Sequence, residues 1–223
     1  MELRVLTWNL FHGRALPARN ENLFDEFAAT LASWRWDVAL LQEVPPWWPA
    51  ELATPCGAQA RHALTSRNAL PRLRRALARN RPELMRSNGG GCNAILVREL
   101  GGISTHARRR LRTWPERRVV HAVRDGEGRW FANLHASVHD AERAEADIAQ
   151  ARAAALRWAG GAPLVLGGDF NVRGPHLSRF LHAAGHGVDH VFAHGGPEPI
   201  VRAEVLERGG LSDHAPVRVT LSG

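Results

Sequence analysis

The chain has neither lysine nor tyrosine among its 223 residues, and only two cysteines, Cys56 and Cys92. Two isolated cysteines exclude a disulfide framework, and the absence of any CxxC or paired Cys/His spacing excludes a thiolate zinc site, so both read as ordinary buried thiols. No run approaches the roughly 18 apolar residues of a membrane-spanning helix. Leu3, Val5 and Leu6 follow the initiator without the basic and apolar regions of a leader, so the expectation is a soluble, cytoplasmic protein. With no internal repeat and no Ser/Pro-rich linker, residues 1–223 are expected to form one domain and to act as a monomer. Because lysine is missing, all 29 basic residues are arginine, set against 22 acidic ones for a net charge of +7. That balance favours polyanionic partners, but in so skewed a composition an individual arginine says little about its own position.

What is present is an alternation of strand and helix signals. Leu3 to Asn9 reads as a strand, Leu10 to Arg19 as a loop, and Asn20 as the cap of a helix with Leu23, Phe24, Phe27, Ala28 and Leu31 on one face. Asp37 to Glu43 holds the apolar run Val38, Ala39, Leu40, Leu41, the pattern of a strand buried on both faces, and ends in Gln42 and Glu43. Pro163 to Asn171 repeats the shape, with Leu164, Val165 and Leu166 running into Gly167, Gly168, Asp169, Phe170 and Asn171. Arg118 to Arg124 and Arg129 to Ser137 read as paired strands about the turn Asp125, Gly126, Glu127, Gly128. The three-four spacing of Ala141, Ala144, Ile148, Ala151, Ala155 and Trp158 predicts a helix to Ala159, capped by Asp140 and ended by Gly160 and Gly161. In the last strand Ala215, Val217, Val219 and Leu221 should face one way and Arg218 and Thr220 the other. The order implies an α/β protein with mixed sheets.

Hard oxygen donors and imidazoles concentrate at predicted strand ends, in Trp8-Asn9, Gln42-Glu43, Gly168-Asp169-Phe170-Asn171 and Ser212-Asp213-His214. Carboxylate and amide oxygens suit magnesium or manganese rather than zinc or copper. Such an ion neutralises charge on a phosphoryl oxygen or lowers the pKa of a bound water.

The ordered segments LTWNL (Leu6 to Leu10), LLQEV (Leu40 to Val44), NLH (Asn133 to His135), GGDFN (Gly167 to Asn171), VDHVF (Val188 to Phe192) and LSDHAPV (Leu211 to Val217) together resemble the endonuclease/exonuclease/phosphatase superfamily, the pancreatic-deoxyribonuclease-like fold. The resemblance implies a four-layer α/β sandwich, two mixed β-sheets packed face to face with helices on both outer sides, and a site at one edge. It implies Glu43 as principal ligand of Mg2+ or Mn2+, with Asp213 and Asn9 beside it. Asp169 and Asn171 would orient or deprotonate water, His214 would face the phosphate with Asp189 fixing its tautomer, and His135 would contact a non-bridging oxygen or assist the leaving group. Arg118 joins Asn9, Asn171 and His135 as a substrate contact.

One position departs from the pattern. Two residues after Asn9, where relatives often carry an acid, stands Phe11, so the number of metals is open; His12, next in the chain, either faces the site or is an ordinary loop histidine. Arg72, Arg74, Arg75, Arg79, Arg81 and Arg86, with Leu70, Leu73 and Leu77, have the pattern of a basic amphipathic helix ended by Pro82, and Arg108, Arg109, Arg110 and Arg112 form a second cluster. Both either follow a nucleic-acid backbone or are merely solvated, as Asn88 to Gly91 would suit. Trp47 and Trp48 read as buried anchors before bases to stack on. The leading expectation is a metal-dependent phosphodiesterase acting on nucleic acid, DNA or RNA. The alternatives are an enzyme of phospholipid headgroups or small phosphate esters, and a non-catalytic binder on the same fold.

Overall fold

The computed structural model describes residues 2–65, 68–80, 91–138, 140–196 and 200–222. In chain order they form β1 (Glu2–Asn9), α1 (Phe24–Ser33), β2 (Val38–Val44), α2 (Trp48–Ala53), β3 (Gln59–Leu64), α3 (Pro71–Asn80), β4 (Cys92–Val97), β5 (Ile103–Arg112), β6 (Arg118–Asp125), β7 (Trp130–His135), α4 (Ala141–Ala159), β8 (Leu164–Asp169), β9 (Leu181–His186), β10 (Asp189–His194), β11 (Ile200–Val205) and β12 (Val217–Ser222). Two six-stranded sheets result, ordered β11-β12-β1-β2-β4-β3 and β5-β6-β7-β8-β10-β9.

The continuous apolar runs of β2 and β8 are explained by three hydrophobic layers. Val5, Val38, Leu40 and Ile95 of the first sheet meet Val123, Phe131, Val165 and Val191 of the second. The alternate residues Leu6, Trp8, Ala39 and Leu41 face outward onto Phe27 and Leu31 of α1 and Trp48 and Leu52 of α2. On the far side Ala132, Leu134 and Leu166 pack against Ala144, Ile148, Ala151 and Ala155 of α4. Strands covered on both faces cannot alternate with polar residues, which is why these read as unbroken runs. Each fully buried aromatic, such as Trp8, Phe27 or Phe131, contributes on the order of 2–3 kcal/mol.

Each sheet holds one parallel pair near its centre, β1 with β2 and β7 with β8, and the other pairings are antiparallel. This arrangement decides where the chemistry lies. The C-terminal ends of the parallel pairs carry Asn9, Glu43, His135 and Asp169 to one edge. Antiparallel neighbours bring their N-terminal ends to the same edge: Asp189 of β10 pairs with Asp169 of β8, and Arg118 opens β6. Beneath that edge a buried polar bridge ties the sheets, as Gln42 Nε2 donates to Asn133 Oδ1 (2.8 Å) and Asn133 Nδ2 donates to the Leu41 and Ala94 carbonyls (2.9 Å each). A buried network of this kind favours one register between layers, although Gln42 Oε1 is buried with no hydrogen-bond partner among the described residues.

Several sequence expectations are corrected. Asn20 does not cap α1; the helix begins at Phe24, whose N–H is taken by Asn22 Oδ1 (3.1 Å). Ala215 precedes β12 rather than lying in it. The basic helix exists as α3, but Arg81, Pro82, Arg86 and Asn88 to Gly90 lie outside the described residues. The helix at Ala141–Ala159 is as the spacing implied, with Asp140 Oδ1 accepting from the Arg143 N–H (2.9 Å) and Gly160 left-handed at its end. Cys56 and Cys92 are free and buried, and Trp48 packs inside against Phe24 and Phe27.

Candidate active site

The site is assembled from turns that the backbone must bend to make. Glu43 sits where the pairing of β2 with β4 shifts register between Leu41 and Val44, at φ 49°. A bulge of this kind re-aims a side chain that would otherwise continue the strand. Phe11, His12, Asn171 and Ser212 also hold positive φ, at 49°, 55°, 52° and 62°, and all are at this edge. Such conformations cost of order 1–3 kcal/mol each and persist where surrounding structure imposes them. Gly168 shows the closeness of the layers: at φ 142° a Cβ there would lie 1.9 Å from the Leu134 carbonyl oxygen, so only glycine lets β8 run beside β7 and present Asp169.

Asp169, 1% exposed, is the centre of the hydrogen-bond pattern. Asn9 Nδ2 donates to its Oδ2 (3.0 Å) and the Asn171 N–H donates to its Oδ1 (3.0 Å). His135 Nε2 lies 3.6 Å from Asp169 Oδ2 and 3.8 Å from Glu43 Oε1, and His214 Nε2 lies 3.8 Å from Asp169 Oδ2. Behind His214, its Nδ1 is 2.7 Å from Asp189 Oδ2. The structure thus brings Asn9, Glu43, His135, Asp169, Asn171, Asp189 and His214 together. Asp213 is the outermost, its side chain 37% exposed and its Oδ1 4.0 Å from His214 Nε2. Arg118 is buried, bound through Nη2 to Glu116 Oε2 (2.7 Å), while its Nε is buried with no hydrogen-bond partner among the described residues. The Asn171 side-chain amide donates to the Ala136 carbonyl (3.1 Å), and Asn9 Oδ1 accepts the Phe11 N–H (2.9 Å), so both amides are partly committed to holding the loop.

His12, which sequence left open, faces the site with Nε2 3.0 Å from Glu43 Oε2. Sequence reasoning included Ser212 in the segment Ser212-Asp213-His214 but gave it no role of its own. Its hydroxyl donates to the Asn9 carbonyl (2.7 Å) and accepts the His214 N–H (3.0 Å), tying β1 to the Asp213-His214 turn. Its only signal was a small polar residue inside a motif. Trp8 Nε1 adds a bond to the His214 carbonyl (3.1 Å).

Charge crowding explains the acid–base character. Burial, then the charges of Asp169 and Asp213, push the Glu43 carboxyl up to about 7 against the opposing pull of His214 and Arg118. Burial likewise raises Asp169 and lifts Asp189 to about 6, although His214 opposes it. Burial works to lower His214, but the hydrogen bond and charge of Asp189, with Asp169 and Asp213, win and raise it to about 9. Burial, with Arg118, His12 and His214, holds His135 well below the ordinary range and therefore neutral.

The donor set fits a divalent cation. Carboxylates gathered in a low-dielectric pocket repel one another, and a hard cation relieves the repulsion. Asp169, Asp189 and His214 offer atoms within 4.8 Å of one another. Yet His214 is hydrogen-bonded to Asp189 and favoured in its charged form, so that trio is better suited to holding a proton than a metal.

The His214–Asp189 pair gives a checkable pH signature. A histidine raised above its unfolded value of 6.5 stabilises the fold fully below that pH and loses the contribution as pH rises through about 9. In chelator-treated protein Asp189→Asn is expected to move the His214 titration, followed by NMR, downward. It should also flatten the loss of thermal stability between about pH 7 and 9. An unchanged titration would remove Asp189 as the cause.

No curated protein matches the chain. Among solved structures it is similar to TDP2 from Caenorhabditis elegans (TM-score 0.72, 16% identity, 100% of this chain and 75% of that one). It is also similar to an endonuclease/exonuclease/phosphatase from Beutenbergia cavernae (TM-score 0.70, 19% identity, 99% and 71%). A third is a mannosyl-6-phosphatase from Bacteroides thetaiotaomicron (TM-score 0.70, 16% identity, 99% and 100%). The sequence profile of one family matches residues 6–214, from the first strand to His214. The chain belongs to the Endonuclease/Exonuclease/phosphatase family, whose members are hydrolases acting on phosphate esters.

Proposed function

We propose that this protein is a phosphodiesterase that hydrolyses nucleic acid with Mg2+ or Mn2+, as a single-domain cytoplasmic monomer. Glu43, Asp213 and Asn9 would hold the cation, which supplies neutralisation of phosphoryl charge and a more acidic water. Two observations favour Asp169 over His214 and His135 as the base. A histidine kept charged to about pH 9 does not accept a proton at neutral pH, and His135 is too far buried to gain one. Asp169 therefore takes the proton of the water attacking phosphorus in line, with Asn9 and the Asn171 N–H fixing its orientation. His214, charged through Asp189, donates to the developing charge as the phosphorus–oxygen bond to the leaving group breaks. His135 and Arg118 steady the non-bridging oxygens.

The observation that carries the substrate class is the loop entering Arg118. Trp114 there is 82% exposed, and Arg117 donates through Nη2 to the Thr65 carbonyl (2.8 Å), tying the loop to the segment that precedes the arginine-bearing α3. An exposed aromatic beside arginines is a platform on which a base stacks while phosphates are held. Leu64, Leu70 and Leu73 are exposed in the same stretch of chain, which instead favours a lipid headgroup, and the mannosyl-6-phosphatase neighbour keeps small phosphate esters as a further alternative. Two buried free thiols agree with a reducing compartment, and no helix among the described residues is long and apolar enough to cross a membrane.

The test is turnover of single-stranded and duplex DNA, RNA, phospholipid vesicles and sugar phosphates with Mg2+, Mn2+ or chelator. Metal-dependent cleavage of a nucleic acid, weakened by salt and by Trp114→Ala, is expected. Cleavage confined to lipid or monoester substrates would replace this reading, and absence of turnover throughout would leave the non-catalytic binder.

A further inference from the structure

We propose that His12 is a nitrogen ligand of the cation held at Glu43, and that it sets the site to prefer manganese and other first-row transition ions over magnesium. This rests on the metal-dependent reading above. The turn Phe11–Gly13 cannot offer a carboxylate, because position 11 is phenylalanine. The Phe11 N–H is spent on Asn9 Oδ1, and its ring lies under the Arg14 guanidinium, 3.9 Å from the ring centre. What the turn offers instead is the next side chain. Successive positive φ values at Phe11 and His12 reverse the backbone and swing the imidazole over the end of β2.

Packing holds it there. A Cβ at Gly13 would meet the Trp48 ring at 2.3 Å, so the indole fills the space beneath the turn, and Gly91 approaches the imidazole from the other side, where a Cβ would stand 3.5 Å away. The His12 side chain is 24% exposed, placed between solvent and the Glu43 carboxylate.

The spacing suits shared ligation. His12 Nε2 and Glu43 Oε2 are 3.0 Å apart. Neighbouring ligands on an octahedral ion with bonds of about 2.1 Å are separated by that length times the square root of two, roughly 3.0 Å. Each Glu43 oxygen faces an imidazole, since Oε1 looks toward His135 at 3.8 Å, but only His12 is at ligand spacing and reachable from solvent. Imidazole nitrogen binds the later first-row ions more strongly than magnesium, which takes oxygen. Replacing a carboxylate of this turn by an imidazole therefore changes which cation is held, not merely how many.

The test measures binding rather than turnover. Chelator-stripped wild type, His12→Gly and His12→Asp are titrated calorimetrically with Mn2+ and with Mg2+, and the Mn2+ complexes are examined by pulsed EPR for 14N coupling. Glycine adopts the left-handed φ freely, so the turn survives loss of the ring. Expected are Mn2+ bound at least about tenfold more tightly than Mg2+ by wild type, and a roughly 10–100-fold loss for Mn2+ in His12→Gly with Mg2+ little changed. The 14N coupling should disappear in that variant, and His12→Asp should move the preference toward Mg2+. His12→Gly retaining the Mn2+ affinity and the 14N signal would overturn the proposal. Equal losses for both ions with the signal retained would also overturn it, leaving His12 to position Glu43. If wild type bound neither ion, the metal-dependent function itself would fall, a result distinct from failure of His12 alone.

Discussion

Asp169→Asn is expected to lower kcat on a phosphodiester by about three to four orders of magnitude while leaving a folded protein that still binds the cation. The amide has the shape of the carboxylate but cannot take a proton from water. The same geometry predicts a modest loss of stability. Asp169 accepts a donor on each oxygen, Asn9 Nδ2 on Oδ2 and the Asn171 N–H on Oδ1, so an amide NH2 must face one of them donor to donor. One such mismatch costs about 1–3 kcal/mol. The informative division is between kcat and KM. If Asp169 acts on the water, kcat carries the effect, and saturating substrate does not rescue it. A KM effect with kcat within about tenfold of wild type would move Asp169 from base to binding, and would return the choice of base to the histidines.

The sequence made some of this plain for identifiable reasons. The runs Val38 to Leu41 and Leu164 to Leu166 lie between two apolar layers, and an acid at the end of such a run has only the sheet edge to occupy. The hairpin about Asp125 to Gly128 was legible because its turn chemistry is local; Asp125 Oδ1 accepts the Glu127 and Arg129 N–H groups (3.0 and 2.8 Å). The outer strands were not legible. β5 reads Ile-Ser-Thr-His-Ala-Arg-Arg-Arg-Leu-Arg, an edge strand with half of its residues exposed, and what makes it a strand is pairing with β6 rather than any alternation of its own. Nor could the orientation of His12 be read, since it follows from a backbone reversal that no side-chain pattern announces. The meeting of Asp189 with Asp169 is likewise a property of antiparallel pairing between β10 and β8, and motif order along the chain carries no such information. Local chemistry was visible, and what depended on distant pairing or on φ was not.

Glu43→Gln is expected to melt above wild type without metal and below it with metal, and to lower turnover by roughly three orders of magnitude, since several kcal/mol of transition-state neutralisation go with the cation. The reason lies in the raised pKa of the Glu43 carboxyl. Without metal, the folded chain keeps the Glu43 proton up to about pH 7, because of burial and the neighbouring charges of Asp169 and Asp213, whereas the unfolded chain releases it near 4.5. The contribution to stability is therefore fully present below about 4.5 and is lost as pH rises through about 7, so at pH 8 the ionised carboxylate weighs against the metal-free fold. The neutral amide lacks that penalty, and metal-free Glu43→Gln should melt above metal-free wild type at pH 8. A bound cation converts the same charge into a stabilising one. Wild type should then gain more in Tm from Mn2+ at pH 8 than at pH 6, with proton release on binding, and the variant should gain little at either pH. Differential scanning calorimetry at the two pH values, with Mn2+ or chelator, checks both signs. A variant that gained as much from Mn2+ as wild type would show that the cation sits elsewhere, at Asp169, Asp189 and His214, and that the crowded carboxylate at the end of β2 serves the substrate instead.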